Sequence, residues 1–303
     1  MILSSTSPDG NAVARHYDEL DPFYRALWGE HLHHGLWTTG QESPAEAALA
    51  LVDEVARRAG IVAGAEVCDV GSGYGAVARR LAARGARVTG LTVSEAQHRY
   101  ARVQDARVQE ARVQEAGVQE AGGGVRFLLR DWMANGLDAG SFDGVIAIES
   151  LSHMRDPGRA VAEAYRVLRP GGRFVACVWL AAERPAPWEV RWLLRPICDE
   201  GRLPGLPAPS DYGRWLGAAG FVDAALDDVS RRVARTWAVV ARRVAGALLR
   251  PAAWRYLLDG RHTERAFALS VLRLLVAFRT GAVRYGIVEA RKPDRPGAWG
   301  RPN

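Results

Sequence analysis

Hydrophobic blocks alternate with amphipathic stretches along residues 61–180. The blocks are short and rich in valine, which is typical of strands that are buried on both faces. Five blocks lie at 66–70, 86–93, 125–131, 141–150 and 172–180, and two more lie at 221–230 and 282–293. Because helical stretches separate the blocks, the pattern predicts an α/β fold with a seven-stranded, mostly parallel sheet and helices on both of its faces.

Helical patterns lie before and between these strands. Residues 11–29 predict a short helix pair that is broken by a proline. Ser43 and Glu46 have the spacing of a capping box, which predicts a helix over 43–59. Residues 153–172 predict a helix that is closed by its final Pro-Gly-Gly turn.

Four units along the chain follow from these patterns. An N-terminal helical lid is predicted at 1–44, and its first ten residues are expected to be mobile. The core of the sheet is predicted at 45–180. Residues 181–281 hold the remaining core elements and a helical substrate cap, which is inserted between the last two strands. The last strand and a tail occupy 282–303.

A five-residue unit is repeated in tandem at 101–124. A helix turns about 100° per residue, so successive valines of the repeat lie about 140° apart and share no face. We interpret the repeat as an exposed extension of the helix after the second strand, without a functional role. Removal of two units is therefore expected to leave activity intact.

The composition favours a globular protein, with 48% hydrophobic and 24% charged residues. The net charge of +6 comes from arginine, since Lys292 is the only lysine. Such a charge suits nucleic acid, anionic lipid or a phosphorylated substrate, but no nucleic-acid-binding motif accompanies it, and no nucleic-acid partner is expected. The three cysteines lack metal-ligand spacing, and the first residues lack the pattern of a secretory signal, so a cytoplasmic location is expected.

Three histidines, His31, His33 and His34, lie within four positions of one another. They lack the helical i, i+4 spacing and the accompanying carboxylates or cysteines that make a metal site convincing. We therefore predict no metal, and interpret this segment as part of a lid that contributes groups to an active site.

A glycine turn follows the first core strand, in the sequence DVGSGYG at 69–75. Its glycines occupy alternate positions, and the segments LLRD at 128–131 and LRPGG at 168–172 follow downstream. Together these features resemble the class I S-adenosylmethionine-dependent methyltransferases, which implies their Rossmann-like fold and their cofactor. Asp69 can accept hydrogen bonds from the cofactor's ammonium group, and glycines let the backbone approach it without a Cβ atom in the way.

The same resemblance implies a set of cofactor-binding residues. Asp131 lies where the family places the acid for the adenine amino group, and Thr92 replaces an acid that binds the ribose in many relatives. This replacement is similar to the small-molecule branch that contains tocopherol methyltransferases and cyclopropane fatty acid synthases. The implied residues are Tyr17, Asp69, Gly71, Ser72, Gly73, Gly75, Leu91, Thr92, Gln97, Asp131, Trp132, Met133 and Ala147.

Methyl transfer requires a held nucleophile and often a base that takes its proton. The candidate bases or orienting groups are Glu149 and His153, after the fourth strand, together with His31, His33 and His34 in the lid. His153 alternatively bonds the backbone at the start of a helix, and Glu149 alternatively contacts the cofactor or stabilises a developing cation.

The predicted function is methyl transfer to a small hydrophobic natural product at carbon, oxygen or nitrogen. Aromatic residues of the cap indicate either an apolar substrate pocket or ordinary core packing. The basic stretch at 231–258 indicates peripheral contact with a membrane. Two alternatives are a cyclopropane synthase-like enzyme and a cyclase that uses the fold without methylation. The aromatic residues of the cap that could line such a pocket are Trp188, Trp192, Trp215, Trp237, Trp254, Phe267 and Phe278.

Overall fold

A computed structural model describes residues 1–4, 12–19, 21, 25, 29–116, 123–248 and 265–294. Its central sheet has seven strands, which lie in the spatial order β4 (Val125–Leu129), β3 (Arg87–Thr92), β2 (Glu66–Val70), β5 (Phe142–Ile148), β6 (Leu168–Ala181), β9 (Val283–Arg291) and β8 (Val222–Asp228). All neighbours are parallel except β9, which runs antiparallel to both β6 and β8. The predicted mostly parallel sheet is confirmed.

Helices cover both faces of the sheet, because alternate residues of each buried strand point to opposite sides. Val67 and Val175 pack with one group of helices, and Cys68 and Ala176 pack with the other. The helices are α1 (Ala12–Glu19), α2 (Pro44–Arg58), α3 (Ala76–Ala82), α4 (Glu95–Ala116), α5 (Pro157–Val167), α6 (Pro187–Glu189), α7 (Arg195–Glu200), α8 (Pro209–Ala219), α9 (Ser230–Val233), α10 (Arg235–Leu248) and α11 (Arg265–Thr280). A π-helical stretch, Val190–Leu194, joins α6 to α7.

The cap has a hydrophobic core of its own, which α7, α10 and α11 share with β7 (Gly205–Leu206). The helices α9, α10 and α11 lie between β8 and β9 in the chain, as predicted for an insertion between the last two strands. No helix within the described residues is long and apolar enough to cross a membrane.

Two sequence predictions about secondary structure are wrong. Residues 1–4 are not a mobile start, because β1 (Ile2–Leu3) pairs antiparallel with β7 (Gly205–Leu206), and residues 5–10 lie outside the described part of the chain. The helix predicted over 153–172 is only α5, and β6 already begins at Leu168, which pairs with Phe142. Pro170 cannot extend a helix, but its neighbours continue as strand rather than as a turn.

The predicted capping box is present at the start of α2, where Ser43 and Glu46 exchange hydrogen bonds with each other's backbone. The helix α4 carries the five-residue repeat as far as Ala116, and Val103 and Val108 are exposed on it. The predicted tail beyond residue 294 lies outside the described residues.

Candidate active site

The glycine turn lies between β2 and α3, at the carboxyl edge of the sheet. Gly71, Gly73 and Gly75 all have positive φ angles, of 74°, 53° and 78°. A Cβ atom on Gly71 would lie 2.3 Å from Cβ of Ser150, whereas one on Gly73 would meet nothing within 4 Å. The turn therefore packs against β5 at Gly71 and opens at Gly73.

A cavity of about 410 Å³ lies above this turn. Its walls come from α1, the lid segment that precedes α2, the glycine turn, the ends of β3, β4 and β5, and the loop before β7. This is where open α/β sheets bind ligands, outside the carboxyl ends of their strands. The predicted site residues in its walls are Tyr17, His33, Asp69, Gly71, Ser72, Gly73, Leu91, Thr92, Gln97, Asp131, Trp132, Met133, Glu149 and His153.

Two polar atoms at the floor of the cavity lack partners. Within the described residues, Oδ2 of Asp69 and Oγ of Ser72 are buried and make no hydrogen bond. Burial raises the pKa of Asp69 to about 7, because a carboxylate is poorly solvated there. A cationic group that entered the cavity at this point would satisfy the carboxylate and reverse that effect.

At one end of the cavity, polar residues hold each other in place. The Thr92 hydroxyl donates to Oε1 of Gln97 at 2.8 Å, and both side chains are buried. Asp131 caps the short 3₁₀ helix Trp132–Ala134 by accepting from the backbone of Met133 at 2.9 Å. This end presents hydroxyl, amide and carboxylate groups, which are suited to a ribose and an adenine ring.

Four predicted site residues lie outside the cavity wall. Gly75 is the residue before α3, where a Cβ atom would lie 2.4 Å from the Phe127 ring, so its role is packing. Ala147 is completely buried in the core on one face of the sheet. His31 and His34 also lie outside the wall, although His33 between them contributes to it.

The three lid histidines do not converge on one point. Nδ1 of His31 lies 3.2 Å from Nε2 of His33, whose Nδ1 faces the backbone oxygen of His34 at 2.9 Å. Burial lowers the pKa of His31 to about 4 and lowers that of His33 as well. Among the described residues, no group of three or more histidine, cysteine or acidic side chains is placed to hold a metal ion.

Glu149 lies at the end of β5 with a φ of 61°, which is unusual for a residue other than glycine. Its Oε1 accepts from the backbone and Nδ1 of His34, at 2.7 and 2.9 Å, and from the Tyr285 hydroxyl at 2.8 Å. Its Oε2 accepts from Nε1 of Trp179 at 3.0 Å. Burial alone would raise the pKa of this carboxyl, but His34 and the hydrogen bonds outweigh it and lower the pKa to about 2.

These contacts join the lid, the sheet and the cap at one point. Nε1 of Trp237, on α10, donates to Nε2 of His34 at 2.7 Å, so His34 uses both ring nitrogens inside the protein. The carboxylate of Glu149 therefore binds the lid to the body of the protein. Its geometry does not suit the predicted role of a proton acceptor.

His153 is placed differently. It ends the 3₁₀ helix Leu151–His153, and its Nε2 lies 3.0 Å from the hydroxyl of Tyr17 on α1. Burial lowers the pKa of His153 to about 4, so the ring is neutral near pH 7 and its lone pair is available. Tyr17 and His153 together form a hydroxyl–imidazole pair in the wall of the cavity.

The cap aromatics whose side chains the structure describes do not line this cavity. Trp215, Trp237 and Phe278 pack in hydrophobic cores, as the alternative of core packing predicted, while Trp188 and Trp192 are exposed. Trp254 and the side chain of Phe267 lie outside the described part of the structure.

Comparisons with known proteins agree with this site. Residues 68–176 match the family described as "Methyltransferase domain". The 27-O-demethylrifamycin SV methyltransferase of Amycolatopsis mediterranei is 32% identical over 292 residues, which cover 95% of this chain and 100% of that protein. The chain belongs to the class I S-adenosylmethionine-dependent methyltransferases. Its cofactor is S-adenosylmethionine.

Two further likenesses place this methyltransferase within its family. The chloroplastic tocopherol O-methyltransferase of Arabidopsis thaliana is 29% identical over 309 residues, which cover 96% of this chain and 84% of that protein. The solved structure of the (4+2)-cyclase SpnF superposes with a TM-score of 0.69 at 28% identity, covering 96% of this chain and 98% of that one. The resemblance to the tocopherol methyltransferase branch is therefore confirmed.

The cavity suits S-adenosylmethionine. Within the described residues, Oδ2 of Asp69 and Oγ of Ser72 make no hydrogen bond and are available as acceptors for an ammonium group, and Gly73 leaves open space beside the turn. Sequence reasoning missed other residues of the wall, including Val13, Tyr74 and Pro204. Tyr74 directly follows the second glycine of the motif and so was within reach of the prediction, whereas Val13 and Pro204 reach the cavity only through the tertiary fold.

Proposed function

We propose that this methyltransferase transfers the methyl group to a hydroxyl oxygen of a small hydrophobic molecule, and that His153 accepts the proton of that hydroxyl. The observation that carries the proposal is the 3.0 Å contact between Nε2 of His153 and the hydroxyl of Tyr17, in the wall of the cofactor cavity. The relatives named for O-methylation support oxygen over carbon or nitrogen as the acceptor.

When bound, S-adenosylmethionine supplies a methyl group on a positively charged sulfur. The residues of the chain position the acceptor and take up its proton. As the acceptor oxygen forms its bond to carbon, its proton moves to Nε2 of His153, either directly or through the hydroxyl of Tyr17. The ring is neutral beforehand and cationic afterwards, and the carbon–sulfur electron pair stays on sulfur, so charge and electrons balance.

The chain also excludes water from this step. Asp18 on α1 accepts from the hydroxyl of Ser94 at 2.5 Å and from the backbone of Ala96, so α1 is fastened over the start of α4. Glu30 accepts from Arg79 at 2.7 Å and from Tyr100 at 2.8 Å. These bonds hold the lid over the cavity, which keeps the acceptor oriented and excludes water from His153.

The test uses deuteromethyl-labelled S-adenosylmethionine with 27-O-demethylrifamycin SV, with a tocopherol, and with a lipophilic cell extract. We expect a product that carries one labelled methyl group on oxygen. His153→Ala is expected to lower kcat by about 10²–10⁴-fold with an unchanged Kd for S-adenosylmethionine. Tyr17→Phe, which keeps the ring but removes the hydroxyl, separates the relay from direct transfer.

Two results would contradict the proposal. Equal turnover of His153→Ala and the wild type would exclude His153 as the base. A product with the same mass as its substrate, formed without consumption of S-adenosylmethionine, would instead indicate cyclase chemistry, for which SpnF is a precedent on a similar fold.

A further inference from the structure

The outer side of the cap exposes two tryptophan side chains. Residues 187–200 form one continuous helical segment, which consists of α6, the π-helical stretch and α7. Its inner side packs into the hydrophobic core of the cap through residues such as Leu194 and Ile197. Trp188 and Trp192 lie four positions apart on its outer side and are 49% and 61% exposed. Because tryptophan is highly buried on average, two exposed rings on one side of a helix indicate a binding surface.

Arginine side chains accompany the two rings. Arg191 lies three positions after Trp188, and Arg195 lies three positions after Trp192, so the four residues share one side of the segment. Both arginines are exposed, and neither forms a salt bridge within the described residues. The guanidinium carbon of Arg191 lies 5.0 Å from the centre of the Trp192 ring, within the range of a cation–π contact. We call these four residues the outer cap face.

The carboxylates of the same segment are engaged with other partners. Glu189 accepts from the backbone just before its own helix at 2.8 Å, and Asp199 accepts from the Ser4 hydroxyl. Glu200 forms a salt bridge with Arg273 on α11. All three acidic side chains are partly buried, so the exposed charges of residues 187–200 are both positive.

A second helix adds exposed apolar side chains beside this segment. α11 packs against the π-helical stretch and shares the hydrophobic core of the cap with it. It exposes Leu272 and Val276, which lie four positions apart and are 59% and 44% exposed. Single exposed hydrophobic residues are common on protein surfaces, but here two adjoining helices each expose a pair.

An anionic lipid bilayer matches this combination of groups. Tryptophan favours the boundary between lipid and water, because its ring is apolar and its N–H is polar, and arginine binds phosphate oxygens strongly. A second copy of the chain matches less well, because a symmetric contact would bring the arginines of both copies together. We propose that the outer cap face docks on the surface of an anionic phospholipid bilayer, with Trp188 and Trp192 among the headgroups.

Two further observations favour this location. α7 ends at Glu200, and Pro204, four positions later, lies in the wall of the cofactor cavity. A small hydrophobic substrate partitions into bilayers, so docking would raise its concentration near the enzyme. The basic stretch at 231–258 is less suited to this contact, since the aromatic residue of its described part, Trp237, is buried.

Vesicle sedimentation with the full chain tests the docking. Vesicles of phosphatidylcholine mixed with phosphatidylglycerol are compared with vesicles of phosphatidylcholine alone. One double variant, Trp188→Ser with Trp192→Ser, removes the rings, and another, Arg191→Gln with Arg195→Gln, removes the charges. Because all four side chains are exposed, the Kd for S-adenosylmethionine should be unchanged and serves as the check on folding.

The control variants make the same changes elsewhere on the surface. Val62→Ser removes an apolar side chain that is 68% exposed in the loop between α2 and β2. Arg102→Gln with Arg107→Gln removes two exposed arginines of α4, which lowers the net charge by the same amount as the arginine variant of the outer cap face. These controls separate a specific docking face from a general attraction between a basic protein and anionic lipid.

We expect the wild type and both controls to bind the anionic vesicles alike. The serine double variant should bind about tenfold more weakly or worse, because two aromatic side chains no longer enter the headgroup region. The glutamine double variant should also bind about tenfold more weakly, and only on anionic vesicles. A wild type that does not bind, or equal binding by the wild type and both double variants, would overturn the proposal.

Trp188→Phe with Trp192→Phe identifies the face that contacts lipid. Phenylalanine keeps an apolar ring, so this variant should still bind, but brominated lipid should quench its tryptophan fluorescence far less than that of the wild type. Equal quenching in the bound variant and the bound wild type would overturn the proposal. So would a wild-type dimer that the serine double variant dissociates, because the outer cap face would then bind a second copy.

These measurements need no methyl transfer, so they are independent of the proposed role of His153. Specific vesicle binding by an enzyme whose His153→Ala variant retains full turnover would keep the docking face and reject the base. A methylating enzyme that does not bind vesicles would do the reverse.

Discussion

Replacement of Glu149 by glutamine tests whether this carboxylate fastens the lid or takes a proton. Its Oε1 accepts three hydrogen bonds and its Oε2 accepts one, from Trp179. A glutamine side chain can keep its oxygen on the three-donor side only by turning its NH₂ group toward Nε1 of Trp179, where two donors then face each other. We therefore expect Glu149→Gln to reduce stability through one identifiable contact.

The size of this loss of stability can be worked out in two ways. A carboxyl group whose pKa falls from 4.5 to about 2 on folding adds about 3 kcal/mol to the free energy of unfolding at neutral pH. Leaving the Nε1–H of Trp179 without an acceptor costs about 1–3 kcal/mol. We expect a loss of about 3 kcal/mol for Glu149→Gln. Because the folded-state pKa is lowered, this contribution is present above about pH 4.5 and is lost as the pH falls toward 2.

Urea unfolding of Glu149→Gln, Trp179→Phe and the double variant measures the coupling. In the double variant the opposed donor is gone, so the combined loss should be smaller than the sum of the single losses by about 0.5–3 kcal/mol. Exposed Glu110→Gln, on α4, is the control and should change stability by less than about 0.5 kcal/mol. A Glu149→Gln protein with wild-type stability and a shifted pH profile of turnover would refute the fastening role and restore Glu149 as a base.

Other predictions concern the cofactor cavity and the repeat. Because burial raises the pKa of Asp69 from 3.8 to about 7, the cofactor-free protein should become more stable as the pH falls from 7 toward 4. Calorimetry should show weaker cofactor binding over the same pH range. Asp69→Asn should abolish both effects, whereas Asp138→Asn, at an exposed position, should abolish neither. Gly73→Ala should lower stability by about 1–2 kcal/mol, because alanine disfavours the positive φ angle, and should abolish cofactor binding. Gly71→Ala should lower stability further, because its added methyl group meets Ser150. Equal losses of stability in the two variants would contradict the close packing of Gly71 against Ser150. Removal of two repeat units within 102–116 should leave turnover within twofold of the wild type, and a collapse of turnover would give the repeat a role.

Local sequence patterns were sufficient to predict the sheet and the cofactor cavity. Asp69 and Gly73 lie a few residues apart in a turn whose conformation is dictated by glycine, and Thr92 and Asp131 end neighbouring strands. Parallel strands bring these ends to one edge, so their proximity follows from the strand assignment alone.

The contacts that join the lid and the cap to the sheet could not be predicted in the same way. His34 and Glu149 are 115 positions apart in the chain, and Trp237 is 203 positions from His34. Ile2 and Leu206, which pair in the two-stranded sheet of β1 and β7, are also far apart in the chain. A two-residue strand is too short to show a periodic pattern in the sequence. These contacts depend on how the lid and the cap fold back onto the sheet, which residue types and spacings do not encode locally.

The proposed reaction transfers a methyl group to a hydroxyl in the cavity over Asp69, with His153 as the base. Single-turnover mass spectrometry with deuteromethyl-labelled S-adenosylmethionine tests this reaction. The wild type and His153→Ala are compared on 27-O-demethylrifamycin SV, a tocopherol and the lipophilic extract. We predict an O-linked labelled methyl group in the wild type and a rate about 10²–10⁴-fold lower in the variant, with both proteins binding the cofactor equally. Labelled product at the same rate from both proteins would rule out His153 as the base, and label found only on carbon or nitrogen would rule out a hydroxyl acceptor.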